Sequence, residues 1–185
     1  MHRHASAGIL GFVAFLTSLT PAVAQQSWQV HNNPRYGFSL AYPSPLFALE
    51  TTSEQGDGHI FNAPSQNARL LAGVIVNQDG YTPASYFNFV ASKSYAGYRV
   101  TYRKIGPSWF AISGEKDGTV FYEKVQFSCN STLITSFAVI YPAASQRVIN
   151  PAIERMENSF RSARKCSAAN VSAPPALPGG SRKPG

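Results

Sequence analysis

The stretch YRVTYRKIGPSWFAISGEKDGTVFYEKVQFSCNSTLITSFAVIY, residues 98–141, decides the fold. Tyr98, Val100 and Tyr102 alternate with Arg99, Thr101 and Arg103, the period of a half-buried strand. Three turn signals divide the stretch: Gly106-Pro107-Ser108, Lys116-Asp117-Gly118-Thr119 and Asn130-Ser131-Thr132. The middle one sets Asp-Gly between two alternating runs, which is the strongest short-range hairpin signal. Four strands follow one another: Tyr98 to Ile105, Trp109 to Glu115, Val120 to Ser128 and Leu133 to Tyr141. Consecutive strands joined by tight turns make an antiparallel meander.

Upstream, Thr82 to Tyr95 changes period and reads as a helix, with Thr82 as cap and Pro83 at the first helical position, where its missing N–H costs nothing. Gly97 ends it. Arg69 to Asn77 is apolar on both faces and predicts a central strand covered on two sides. Gly56-Asp57-Gly58 makes a tight loop before a short strand at His59 to Phe61. Gly37 to Tyr42 alternates as a strand that Pro43 and Pro45 stop, and Trp28 to Val30 is another. Downstream, Asn150-Pro151 opens a closing helix, with Asn150 as cap and Ile153, Met156 and Phe160 at helical spacing. The class is therefore α+β: a largely antiparallel sheet with a mid-chain helix and a C-terminal helix.

The chain has 185 residues, enough for one ordinary domain with its ends. A hydrophobic fraction of 44% and a charged fraction of 14% give it a globular core. Residues 1–24 read as a cleaved secretory signal. Arg3 lies in a short positive region, Gly8 to Leu19 is apolar, and Ala22-Val23-Ala24 is a cleavage site before Gln25. Twelve apolar residues are too few to cross about 30 Å of hydrocarbon at about 1.5 Å per residue. Residues 25–166 are then the domain, in the periplasm or secreted. Residues 167–185, rich in Pro, Ala and Gly, read as a disordered basic tail.

The formal charge of +7 belongs mostly to the ends. Between Gln25 and Phe160 there are 10 basic and 9 acidic residues, so the domain offers no basic face for nucleic acid. Arg161, Arg164, Lys165, Arg182 and Lys183 make the C-terminal part basic. It is either a solvated end or a weak contact for an anionic membrane surface or polymer. Two cysteines exclude a disulfide-dense miniprotein and a four-thiolate zinc site. In an oxidising compartment, Cys129 and Cys166 are expected to form one structural disulfide.

The chemistry-bearing motifs are sparse. His31 and His59 remain after the leader, without the spacing of a metal site. Asp57, His59 and a nearby Ser are the one constellation open to a small hydrolase, and Gly-Asp-Gly as a bare turn is the simpler account. Glu115 and Glu123 face each other across the Asp-Gly hairpin, either as a carboxylate pair or, with Lys116 and Lys124, as a salt-laced strand face. No phosphate-binding Gly loop and no nucleophile elbow occur, so no catalytic residue, metal ligand or cofactor is assigned. Asn130-Ser131-Thr132 and Asn170-Val171-Ser172 fit the glycosylation pattern by chance. The aromatics are a better lead. Tyr86, Phe87 and Phe89 sit on three sides of one short helix, so an edge of it is expected to protrude and bind a partner or apolar ligand, unless the loop from Pro43 to Leu49 covers it.

Three stretches resemble the PsbP-like superfamily. They are Tyr36-Gly37-Phe38-Ser39-Leu40-Ala41-Tyr42-Pro43, the meander around Asp117-Gly118, and the closing unit from Tyr141-Pro142 through Asn150-Pro151 to Met156 and Ser159-Phe160. The superfamily includes the extrinsic photosystem II protein and the Ran-binding proteins of the same fold. The resemblance implies a PsbP-like α/β sandwich and a mostly non-enzymatic role docking onto partners. It carries no site residue across. The expected function is an exported, non-catalytic envelope accessory or protein-binding module with an envelope protein partner. The alternatives are a carrier of a small apolar ligand in a closed cavity between sheet and helix, or a small hydrolase.

Overall fold

The computed structural model describes residues 27–171. The expected leader and the tail from residue 172 onward lie outside the described residues. The sheet grows from the Asp-Gly hairpin. Asp117 and Gly118 both take positive φ, 49° and 75°, the conformation that a two-residue hairpin loop needs. They join β7 (Trp109–Lys116) to β8 (Thr119–Ser128) in register from Lys116↔Thr119 to Trp109↔Gln126. β9 (Leu133–Pro142) pairs along β8, and β6 (Arg99–Ile105) pairs along β7. The other edge of β9 takes β5 (Ala68–Val76), then β4 (Gly58–Ala63) and β3 (Ala48–Thr52). The result is one seven-stranded antiparallel sheet of order β3-β4-β5-β9-β8-β7-β6. β1 (Trp28–Asn32) and β2 (Ser39–Pro43) form a separate two-stranded ribbon.

Each sheet face has its own core. The first is packed by the ribbon and by α2 (Gln146–Ser159), which join Phe38, Leu40, Phe61, Phe137, Met156 and Phe160 in one cluster. The second lies under α1 (Pro83–Phe89) and the π-helical turn that continues it, Val90–Ser94. There Phe87, Val90 and Tyr95 cover Phe110, Ile112, Phe121 and Val125. Burying a side chain of this size contributes about 1.5–3 kcal/mol. The expected cap is present: Thr82 Oγ1 accepts from the Ser85 N–H, and Ser85 Oγ accepts from the Thr82 N–H.

Five expectations are corrected. β3 overlaps the loop expected up to Leu49, with all five residues exposed on a sheet edge, and β6 at the other edge is exposed throughout rather than half-buried. β5 is not covered on two sides: Leu70, Ala72 and Val74 are buried, while Leu71 and Gly73 are half-buried and Ile75 is exposed. α2 begins at Gln146 rather than at an Asn150 cap, and Pro151 lies inside it. Complete burial of Ile149 draws the extra turn onto the core, outweighing the proline. The stretch read as disordered from Ser167 opens with a helical turn, α3 (Ala168–Val171), where Asn170 Nδ2 donates to the Arg35 and Lys165 carbonyls.

Cys129 and Cys166 form the expected disulfide, closing a separation of 37 residues and tying the β8 end to the segment after α2. Cys129, Asn130 and Ser131 all take positive φ, 53°, 54° and 63°, a conformation that L-residues rarely hold three times running. The bond restrains this turn, and Asn77 Nδ2 donates to the Ser131 carbonyl over 2.8 Å. Replacing both cysteines with serine is predicted to lower unfolding free energy by about 4 kcal/mol, from the loop-closure entropy restored to the unfolded chain. Urea unfolding of the oxidised and Ser/Ser proteins checks this, and equal midpoints would contradict it.

Candidate functional site

The helical segment Pro83 to Ser94 covers only part of the second sheet face. Beside it, over β3, β4, β5 and β9, lies an open groove of about 460 Å³. Its walls are mostly apolar, from Ile60, Leu71 and Ala138, with Ser136, Tyr95 and Glu123 as polar groups. Gly73 makes room at one end: a Cβ there would stand 2.9 Å from the Asp57 carbonyl oxygen, which already accepts the Val74 N–H.

Glu123 is the unusual residue. It lies opposite Ile112 on β7 and Ala138 on β9, on the same strand face as Phe121, Val125 and Phe127, and is only 9% exposed. The adjacent Lys124 points to the other face and pairs with Glu157 at 2.7 Å. Among the described residues no basic side chain forms an ion pair with Glu123. Burial pushes its carboxyl up to about 7, and hydrogen bonds with Tyr95 and Ser136 oppose that rise only in part. The π-turn sets Tyr95: its N–H reaches the Val90 carbonyl, and its ring stacks on Phe121 with centroids 3.5 Å apart. Burial first and the Glu123 charge second raise the Tyr95 phenol, and the same two causes push Tyr86 up to about 12. Departures from regular helical hydrogen bonding of this kind often mark functional positions.

The expected Glu115–Glu123 pair is not formed. Glu123 aligns with Ile112, three residues from Glu115, so the two carboxylates leave opposite faces of the sheet. Glu115 pairs instead with Arg99. The strand ion pairs among the described residues are Arg99–Glu115 and, on the α2 side, Lys124–Glu157.

The histidines serve the other face. His59 and His31 stand 4.2 Å apart between ring centroids. Asn33 Nδ2 donates to His59 Nε2 over 2.8 Å, and His59 Nδ1 meets Thr52 Oγ1 at 3.2 Å. Burial, with His31 adding to it, pulls the His59 ring down to about 4, so it is neutral at ordinary pH. Asp57 accepts from Ser53 Oγ at 2.5 Å, and that hydroxyl also receives the Asp57 and Gly58 N–H groups. Ser53 and Asp57 are thus committed to each other and His59 to Asn33 and Thr52, so the three are not joined in the hydrolase constellation. The arrangement stitches the ribbon to the sheet.

The three helix aromatics separate. Phe87 is buried edge-on against Phe110, under the Arg103 guanidinium. Phe89 is 39% exposed. With Tyr86 and Tyr81 it makes a ring cluster whose centroids lie 5.2–5.8 Å apart. Tyr81, which the sequence reading passed over, takes the place expected of Phe87. Asn77 holds it at both its N–H and its carbonyl, over 2.8 and 2.9 Å. The loop from Pro43 does not cover this edge, since Leu46 and Phe47 pack into the first core.

No family model matches the sequence, and no curated protein does. The fold is shared with solved structures. The chain is similar to the Ran-binding protein Mog1p of Saccharomyces cerevisiae, at 8% identity and a TM-score of 0.57 over 74% of this chain and 96% of that one. It is also similar to cyanobacterial PsbP (CyanoP) from Synechocystis sp. PCC 6803, at 10% identity and a TM-score of 0.55 over 77% and 96%. A point mutant of Mog1 aligns with a TM-score of 0.58 at 8% identity, over 75% and 97%. The chain has the PsbP/Mog1-like α+β fold.

Two buried groups set opposite pH limbs. Glu123 is raised from 4.5 to about 7, so its contribution to stability is full below 4.5 and is lost as pH rises through 7. His59 is lowered from 6.5 to about 4, so its contribution is full above 6.5 and is lost as pH falls through 4. The two windows overlap from pH 4.5 to 6.5, so the opposite slopes nearly cancel and the parent profile is predicted to be close to level there. Glu123→Gln should remove the Glu123 slope, so that the variant gains about 3 kcal/mol on the parent as pH rises from 4.5 to 7. Urea unfolding of parent and variant across the range measures that difference, and a difference that does not change with pH would contradict the burial account of Glu123.

Proposed function

We propose that the protein is an exported, non-catalytic binding module of the cell envelope, which docks a protein partner through the edge formed by Tyr81, Tyr86 and Phe89. The observation that carries this reading is the half-exposed Phe89, held in a ring cluster whose other members are anchored. Rigid aromatics surrounded by neutral contacts make the strongest anchors in protein interfaces. Mog1p, which shares the fold, is named a Ran-binding protein. The leader pattern at 1–24 and the Cys129–Cys166 bond both suit an oxidising compartment. The near-neutral charge from Gln25 to Phe160 favours a protein over a nucleic-acid partner. The basic residues Arg182 and Lys183 add a weak contact to an anionic surface.

A second reading, as a carrier of a small ligand, is favoured by one observation. The groove of about 460 Å³ falls within the size range of ligand pockets, although it is an open groove and not the closed cavity expected.

Two results are expected. The intact mass of the exported protein should correspond to a chain starting at Gln25, and a mass that retains residues 1–24 would contradict export by cleavage. In-vivo crosslinking in envelope fractions should capture one stoichiometric partner, and Phe89→Ser with Tyr81→Ser should reduce its capture by about tenfold or more. Truncation after Val171 should leave most of it. Undiminished capture by a folded double variant would overturn docking through this edge.

A further inference from the structure

We infer that the groove beside the helix binds a small protonated amine with a short aliphatic body, its ammonium group against the Glu123 carboxylate. This rests on the small-ligand reading above and names the ligand class. The walls and the floor ask for different chemistry. Ile60, Leu71 and Ala138 offer apolar contact along the groove. Glu123 offers a carboxylate at its border, nearly excluded from solvent, with no ion-pair partner among the described residues.

A buried carboxylate left in this state must find a proton or a cation, because an uncompensated charge in an apolar setting is expensive. Among the described residues the neighbouring charges do not fill that role: Arg103, on β6, lies over the Phe87 ring. Lys124 is on the opposite face, committed to Glu157. Tyr95 from the π-turn and Tyr86 from α1 are phenols whose ionisation the Glu123 charge itself opposes. His59 borders the groove from β4, but its ring is neutral and engaged with Asn33 and Thr52. Asp57 lies at an adjoining depression that shares Gly58, Gly73 and Ser136 with the groove, so it adds negative charge, not positive. The surroundings therefore select a cation from outside.

An ammonium group suits this donor set better than a metal ion. One carboxylate and the hydroxyls of Tyr95 and Ser136 can receive three N–H donors. A hard divalent ion such as calcium takes about six to eight oxygens. The volume of about 460 Å³ limits the occupant to a small molecule.

The test uses the purified, disulfide-intact mature chain and three probes of equal length: n-hexylamine, n-hexanol and hexanoate. Calorimetric or NMR titration should find the amine bound about tenfold or more tightly than the alcohol, and hexanoate weakest. Lowering pH from about 8 to about 6 should weaken the amine about tenfold and leave the alcohol unchanged, because the Glu123 carboxyl takes up a proton as pH falls through about 7. Glu123→Gln should bring amine and alcohol to equal affinity. Since the three-probe comparison needs no variant, it holds even if that protein folds poorly. If amine and alcohol bind equally to the parent chain, the amine inference fails and the carrier reading stands. If none of the three binds, both fail.

Discussion

One geometric shortage governs the rest of the structure: a single short helical segment has to cover the second face of a seven-stranded sheet. Pro83 to Ser94 is about 18 Å long, whereas seven strands about 4.8 Å apart span about 29 Å. The segment settles where the sheet is most aromatic, over Phe110 and Phe121. β3, β4 and β5 are left with an open second face. Both candidate surfaces follow from this: the groove on the uncovered side, and the ring cluster of Tyr81, Tyr86 and Phe89 on a helix whose apolar arc is wider than its buried stripe.

The first face shows the opposite balance. The ribbon, α2 and the sheet enclose it so fully that Phe38, Leu40, Phe61, Phe137 and Phe160 have almost no exposed surface. The residues of the PsbP-like resemblance sit here. Tyr36 and Phe38 are core, the Tyr141 hydroxyl donates to Asn150 Oδ1 over 2.8 Å, and Met156 is fully buried. These are packing positions, which is why the resemblance carried the fold and no site. Function, on this account, belongs to the second face, to which the opening and closing signature stretches contribute no core residue.

What could be read from the sequence divides along the same line. Strand periodicity, Asp-Gly chemistry and the Thr82-Pro83 cap are local, and they placed the meander and the first helix correctly. β3, Ala-Leu-Glu-Thr-Thr, has no apolar alternation, and the start of α2 depends on Ile149 reaching a core formed from distant strands. The opposed parity of Glu115 and Glu123 was already present in the two-residue hairpin loop, which aligns Lys116 with Thr119 and so Ile112 with Glu123. An acid on the apolar stripe of Phe121, Val125 and Phe127 was a further signal. Its burial was not legible, because it requires Tyr95 to arrive from another element, through a π-turn that no sequence period announces. The same holds for Tyr81, which joins the aromatic edge only because Asn77 fixes the loop beneath it.

The central claim is that the half-covered face holds a carboxylate without a counter-charge. The direct measurement is the titration of the Glu123 side-chain carboxyl by carbon-detected NMR on the ligand-free chain. The account predicts an apparent pKa of about 7. A value near the ordinary 4.5 would mean that solvent or a basic group reaches Glu123, and the groove would lose the feature that distinguishes it.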